Sequence, residues 1–204
     1  MRRIVGPAVL LAAASLVVVA ASAGATTGRS AMSFKDPVGD SLSLTGSADI
    51  VSVSFSSSGT GTGKKYVAKS LVITMTLAAP PTSDGTTLYN VKGTISGCGY
   101  YSFSYIPGAR LGATNGYAEC GSAPDSATGS TGTLFGFGAV SEGKTITFRM
   151  PLKDLPGKVR AGDEFLLINA ETDLVEPVFG LVGVGTVGPP FYDSAKTTAE
   201  YVVG

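Results

Sequence analysis

The sequence predicts an all-β protein, a single-domain antiparallel β-sandwich of jelly-roll type with one disulfide, and three observations carry that prediction. Apolar residues recur with period two. The runs are short and rich in Val, Ile, Thr, Tyr and Phe. Clusters of Gly, Pro, Asn and Asp separate them at the spacing of strands and turns. Beyond residue 23 no segment sustains the helical period.

The first element, residues 1–23, reads as a secretory signal. Arg2 and Arg3 precede an apolar run from Ile4 to Ala21, which ends on the cleavage pattern Ala21-Ser22-Ala23, with a second at Ala23-Gly24-Ala25. The run is nearly long enough for an uncleaved anchor, but the small residues at its end favour cleavage. The expected mature protein is therefore secreted or extracytoplasmic, with no membrane span, a short segment over 24–33 and the sandwich over 34–204. The first long strand is expected in "DIVSVSFS" (49–56), where Val51, Val53 and Phe55 share a face. "SLVITMTLA" (70–78) alternates Leu71, Ile73, Met75 and Leu77 with Val72, Thr74 and Thr76. Further strands are expected at 87–95, 100–106, 133–140, 145–150, 164–172 and 198–203. "PLKDLPG" (151–157) reads as a single turn. Residues 57–65 and 121–132 read as surface loops. The segment 175–191, "VEPVFGLVGVGTVGPPF", is apolar yet too rich in Gly and Pro for a helix; it reads as a covering flap or an edge strand.

Composition excludes several functions. The chain of 204 residues has 15 basic and 15 acidic side chains. Loss of Arg2 and Arg3 with the signal leaves a slightly negative protein without a basic run, which argues against nucleic acid as a partner. There is no His and no Trp, so no Ser-His-Asp or Cys-His machinery and no imidazole metal site. The tetrapeptide "GDSL" at 39–42 spells the nucleophile signature of a hydrolase family. Those hydrolases place the serine after a buried parallel strand and need a His base and a Gly-x-Asn-Asp block. Here Lys35 and Pro37 precede Ser41, and Asn90, Asn115 and Asn169 are followed by Val91, Gly116 and Ala170. A serine without a base is a weak nucleophile, so the expectation is a protein that is not an enzyme.

The same stretch has another logic. In "KDPVGDSLSLTGSADI" (35–50), Asp36 precedes the turn initiator Pro37, Gly39 permits a positive φ, and Asp49 stands where a strand begins. Two readings stay open. Asp36, Asp40 and Asp49 are turn formers, or they are oxygen ligands for a hard cation such as Ca²⁺. The second needs a further carboxylate from elsewhere, with Asp163, Glu171, Asp173 and Asp193 as candidates.

"FKDPVGDSLSLTGSADIVSVSFS" (34–56) resembles the opening of secreted sandwich modules related to family-nine carbohydrate-binding modules and DOMON domains, and "ITFRMPLKDLPGKVRAGDEFLLINAET" (146–172) resembles their later pattern. The resemblance implies a jelly-roll-like sandwich and a binding module, in some members with Ca²⁺ at the acidic loop. Carbohydrate or another envelope component is the partner it implies. The chain lacks the tryptophans that stack on sugars in such modules; haem-carrying DOMON domains use His or Met ligands, and the chain has Met32, Met75 and Met150 but no His, so haem is not expected, and neither is a nucleotide.

Cys98 and Cys120 are the only cysteines, and in an exported chain a lone pair most simply forms a disulfide. Between them, Tyr101, Phe103 and Tyr105 alternate with Tyr100, Ser102 and Ser104, and Asn115-Gly116 offers a turn before Tyr117. Tyr100, Tyr101, Tyr105 and Tyr117 are candidates for a ligand platform, against the ordinary reading of aromatics on one strand face as core. Three roles follow from these features: a non-catalytic binding or structural module, a protein-interaction module using 175–191, and a secreted hydrolase using carboxylates.

Overall fold

The computed structural model describes residues 31–41, 46–95, 99–108, 117–121, 133–136, 138–155, 159–174 and 191–204. Twelve strands run in chain order as β1 (Ala31–Lys35), β2 (Ile50–Thr60), β3 (Val67–Leu77), β4 (Thr87–Ile95), β5 (Gly99–Tyr105), β6 (Tyr117–Gly121), β7 (Thr133–Gly136), β8 (Gly138–Glu142), β9 (Thr145–Pro151), β10 (Glu164–Leu174), β11 (Phe191–Lys196) and β12 (Tyr201–Val202). The helical turns among the described residues are single 3₁₀ turns at Gly63–Lys65 and Leu152–Asp154. The second of these is the turn expected in "PLKDLPG". Among the described residues no helix is long and apolar enough to cross a membrane.

The strands form two antiparallel sheets. The first has the order β1-β2-β3-β9-β8, and the second β11-β10-β4-β5-β6-β7, with β12 also pairing with β10. The period-two pattern explains why their inner faces meet. Leu71, Ile73, Met75 and Leu77 of β3 are fully buried, as are Phe148 of β9 and Tyr89, Tyr101, Phe103 and Phe165 of the second sheet, and all belong to one core cluster. Phe55 of the first sheet packs 5.5 Å from Tyr201 and 6.1 Å from Phe165 of the second, ring centroid to centroid. Rings at such tilted separations gain somewhat more than their buried area alone supplies.

Several boundaries differ from expectation, each for a local reason. Ile50 pairs with Leu77 but Ser52 with Thr76, so Val51 is an extra residue in β2. This bulge switches the face: Ile50, Val53 and Phe55 enter the core while Val51 stays half-buried. The expected strand 133–140 is two strands in different sheets, β7 pairing with β6 and β8 with β9. β1 begins at Ala31, within the segment expected to precede the domain, and β11 at Phe191 is a strand the pattern did not suggest. The 198–203 strand shrinks to Tyr201–Val202.

Candidate metal centre

The chain leaves β1 at Lys35 and turns at the rim of the two sheets. The Asp36 N–H still donates to Val51 O (3.0 Å), so the first carboxylate is fixed by the end of the β1–β2 ladder. Gly39 adopts φ +91°, a conformation that L side chains rarely hold. That reversal lets its N–H donate to Asp49 Oδ2 at 2.8 Å. Asp49 is anchored in turn: its N–H donates to Gly46 O (3.3 Å), and its carbonyl accepts from Ala78 N–H (2.9 Å). Ser41 lies in this β1–β2 connection, after an antiparallel edge strand.

The second sheet supplies a fourth carboxylate. Asp193 stands on β11 opposite Thr172 of β10. Its Oδ2 accepts from Ile50 N–H at 2.5 Å and its Oδ1 from Ser194 N–H at 2.8 Å. Neighbouring bonds tie the same chain segment to the second sheet: Thr172 Oγ1 donates to Ala48 O (2.7 Å), and the Tyr89 hydroxyl donates to Ser47 O (3.0 Å). The rim is thus a seam, where the start of β2 is hydrogen-bonded to side chains of β4, β10 and β11.

At this seam one carboxylate oxygen each of Asp36, Asp40 and Asp193 lies within 4.8 Å of the others. Asp49 is only 4% exposed, and among the described residues its Oδ1 has no hydrogen-bond partner, nor does the buried Oδ2 of Asp36. Burial pushes the Asp36 carboxyl up to about 7, with the charges of Asp193, Asp40 and Asp49 pushing the same way. Burial also raises Asp193; its bonds from Ile50 and Ser194 oppose the rise, and Asp40 and Asp49 add to it. Clustered carboxylates with buried, unsatisfied oxygens are costly as a set of anions. A hard cation removes both costs at once, because it supplies positive charge and takes oxygen ligands in a flexible number.

Of the three carboxylates expected from sequence, Asp36 and Asp40 cluster with Asp193, whereas Asp49 lies outside that group and is turned to the Gly39 N–H. No local signal marks Asp193; only the pairing of β11 with β10 brings it near. The other candidates go elsewhere. Asp163 accepts from Arg160 N–H (2.7 Å), Glu171 pairs with Lys92, and Asp173 projects from β10 on the face opposite to Thr172.

Of the tyrosines expected to form a platform, Tyr101 and Tyr105 lie on the opposite face of β5 from Tyr100. Tyr101 is fully buried and stacks on Phe103 at 5.3 Å, and Tyr105 packs against the core and reaches Ser141 (3.3 Å). Both are placed there by the alternation that puts Phe103 in the core. Tyr100 alternates to the outer side, opposite Thr94, and the register pairs Tyr117 with Ser104. Tyr101 is thus a core residue and is not open to a ligand. Cys120 pairs with Tyr101 in the β5–β6 ladder, whereas Cys98 and the segment 175–190 lie outside the described residues.

Comparison with family models, curated proteins and solved structures finds no match. The geometry of the seam is what bears on function.

Proposed function

We propose that the chain is an exported, non-catalytic β-sandwich module of jelly-roll type, binding or structural in role, which holds Ca²⁺ between Asp36, Asp40, Asp49 and Asp193. The observation that carries this reading is the cluster of three carboxylates, Asp36, Asp40 and Asp193, whose oxygens lie within 4.8 Å of one another, with the buried Oδ1 of Asp49 lacking a partner among the described residues. The Asp49 charge acts on both Asp36 and Asp193. Export rests on residues 1–23, and the non-catalytic role on a chain without His. In an oxidising compartment Cys98 and Cys120 form a disulfide, which would close a loop of about 20 residues and stabilise by roughly 3 kcal/mol. The non-reduced mature protein should then weigh two hydrogens less than its sequence.

Thermal melting of the mature protein with Ca²⁺ and with a chelator tests the metal. A cation that binds only the folded state at a hundred times its Kd adds about 2.7 kcal/mol. For a domain of this size that raises the midpoint by about 5–10 °C. Coincident melts at millimolar Ca²⁺ would rule the site out.

A further inference from the structure

The outer face of the second sheet carries a group of side chains that the rim site does not use. Beyond the β10 irregularity between Leu166 and Asn169, Ala170 and Thr172 face inward, so Asn169 and Glu171 project outward. The register sets Lys92 of β4 directly opposite Asn169, where Cβ atoms on one face of a sheet stand about 4.5–5.5 Å apart. Glu171 is 6% exposed and joins the two: Lys92 Nζ donates to its Oε2, and Asn169 Nδ2 to its Oε1. At the other end of the carboxamide, Ser194 Oγ of β11 donates to Asn169 Oδ1 at 3.2 Å. An amine, a carboxamide, a buried carboxylate and a hydroxyl thus form one constellation on three adjacent strands.

We propose that Lys92 and Asn169 join in an amide cross-link, formed by the folded chain on itself with Glu171 as proton carrier. Each group stands where its step needs it. Lys92 Nζ passes a proton to Glu171 Oε2 and becomes a neutral amine, the nucleophilic form of lysine. The amine adds to Asn169 Cγ, and the Ser194 hydroxyl meets the negative charge that develops on Oδ1. Glu171 protonates Nδ2 and takes a proton from the attacking nitrogen, and the Cγ–Nδ2 bond breaks. Ammonia leaves and departs as ammonium with the last proton on Glu171. One alkylammonium and one carboxamide give one secondary amide and one ammonium ion; nothing is oxidised or reduced. The contacts of Glu171 select this reading over a plain Lys92–Glu171 ion pair, because the same carboxylate holds both the nucleophile and the leaving group. Pairing across the ladder supplies the proximity that a free amine and amide lack. Burial of Glu171 helps, since no substrate must enter and competing water is kept away. Asn90, a second carboxamide on this face, is engaged differently: its Oδ1 accepts from Ser102 and Ser104 at 2.9 and 3.2 Å. The link ties β4 to β10 beside the point where their ladder is interrupted.

The test is the intact mass of the folded and then fully reduced protein, with peptide mapping. The protein should weigh one ammonia less than its sequence, and its digest should hold a branched peptide that joins Lys92 to Asn169. Glu171→Gln, which keeps the shape and loses the proton carrier, and Lys92→Arg, which loses the nucleophile, should both show the full mass. Wild-type protein still at full mass after days in the folded state at neutral pH overturns the inference. So does an ammonia loss mapped elsewhere, as at Asn90 or the Asn115-Gly116 pair, or an undiminished link in a folded Glu171→Gln protein. The wild-type mass and map decide the matter even if neither variant folds. The metal reading at the rim is tested separately, since the two sites share no residue.

Discussion

Asp49 shows how one side chain serves two ends. Its Oδ2 takes the Gly39 N–H and so shapes the loop, while its buried Oδ1 has no partner among the described residues. Asparagine can still accept the Gly39 bond but brings no charge. Asp49→Asn should therefore melt at or above the wild-type midpoint in chelator, because it removes one of several crowded anions, and should lose more than half of the Ca²⁺-induced rise. Paired melts of the two proteins, with and without the ion, check both halves; an unchanged Ca²⁺ response would remove Asp49 from the ligand set. At this scale two of the three clustered carboxylates, Asp36 and Asp40, were legible in sequence. Asp36, Asp40 and Asp49 lie close along the chain, in a stretch whose Gly and Pro residues announce a bend. Asp193 was one carboxylate among several, since its place depends on a long-range strand pairing that leaves no local trace. Tyr101 could be read only as a surface candidate or as core until its strand had a partner face.

Among the elements, alternation identified the long central strands and failed where geometry departs from strict period two. β3 and β4 each pair with strands on both sides; the buried face of β3 follows the pattern, whereas in β4 residues 87–91 are buried on both faces. β2 departs from it as well, because one extra residue at Val51 turns Ile50 inward. The run 133–140 reads as one strand, yet β7 (to Gly136) and β8 (from Gly138) belong to different sheets, a change of partner that apolar content does not encode. Glycines mark the other places where backbone contact outweighs side-chain pattern. In β2, a Cβ on Gly59 would stand 2.0 Å from Val67 O of the paired strand β3, whereas one on Gly138 at the start of β8 would meet Arg149 O at 3.9 Å. The first must push two paired strands apart; the second makes an ordinary contact. Gly59→Ala should cost about 1–3 kcal/mol, the range for forced overpacking, and Gly138→Ala less than about 0.5 kcal/mol, as at an unremarkable surface site. Urea midpoints at constant slope measure both. Equal costs would mean that the β2–β3 pairing at Gly59 is looser than its geometry indicates.

For the whole molecule, the two sheets share one core but also a seam of buried carboxylates, and the two have opposite consequences for stability. The core is insensitive to pH. The seam is not, because Asp36 is raised to about 7 from an ordinary 3.8 and Asp193 is raised as well; on the outer face Asp173 is raised to about 6. Between the unfolded and folded pKa values the folded state binds more protons than the unfolded one, so the slope of stability with pH is negative there. Without metal, the contribution of these groups is fully present below about pH 4 and is lost as pH rises through 6 and 7. A bound cation reverses the trend at the seam, because it needs those carboxylates ionised. Urea unfolding in chelator should therefore give a lower midpoint at pH 8 than at pH 5.5, and the Ca²⁺-induced gain should be larger at pH 8 than at pH 5.5. If the chelated protein instead gained stability steadily up to pH 8, the carboxylates would have to be ionised and compensated in the free fold, and the seam would have no need of a cation.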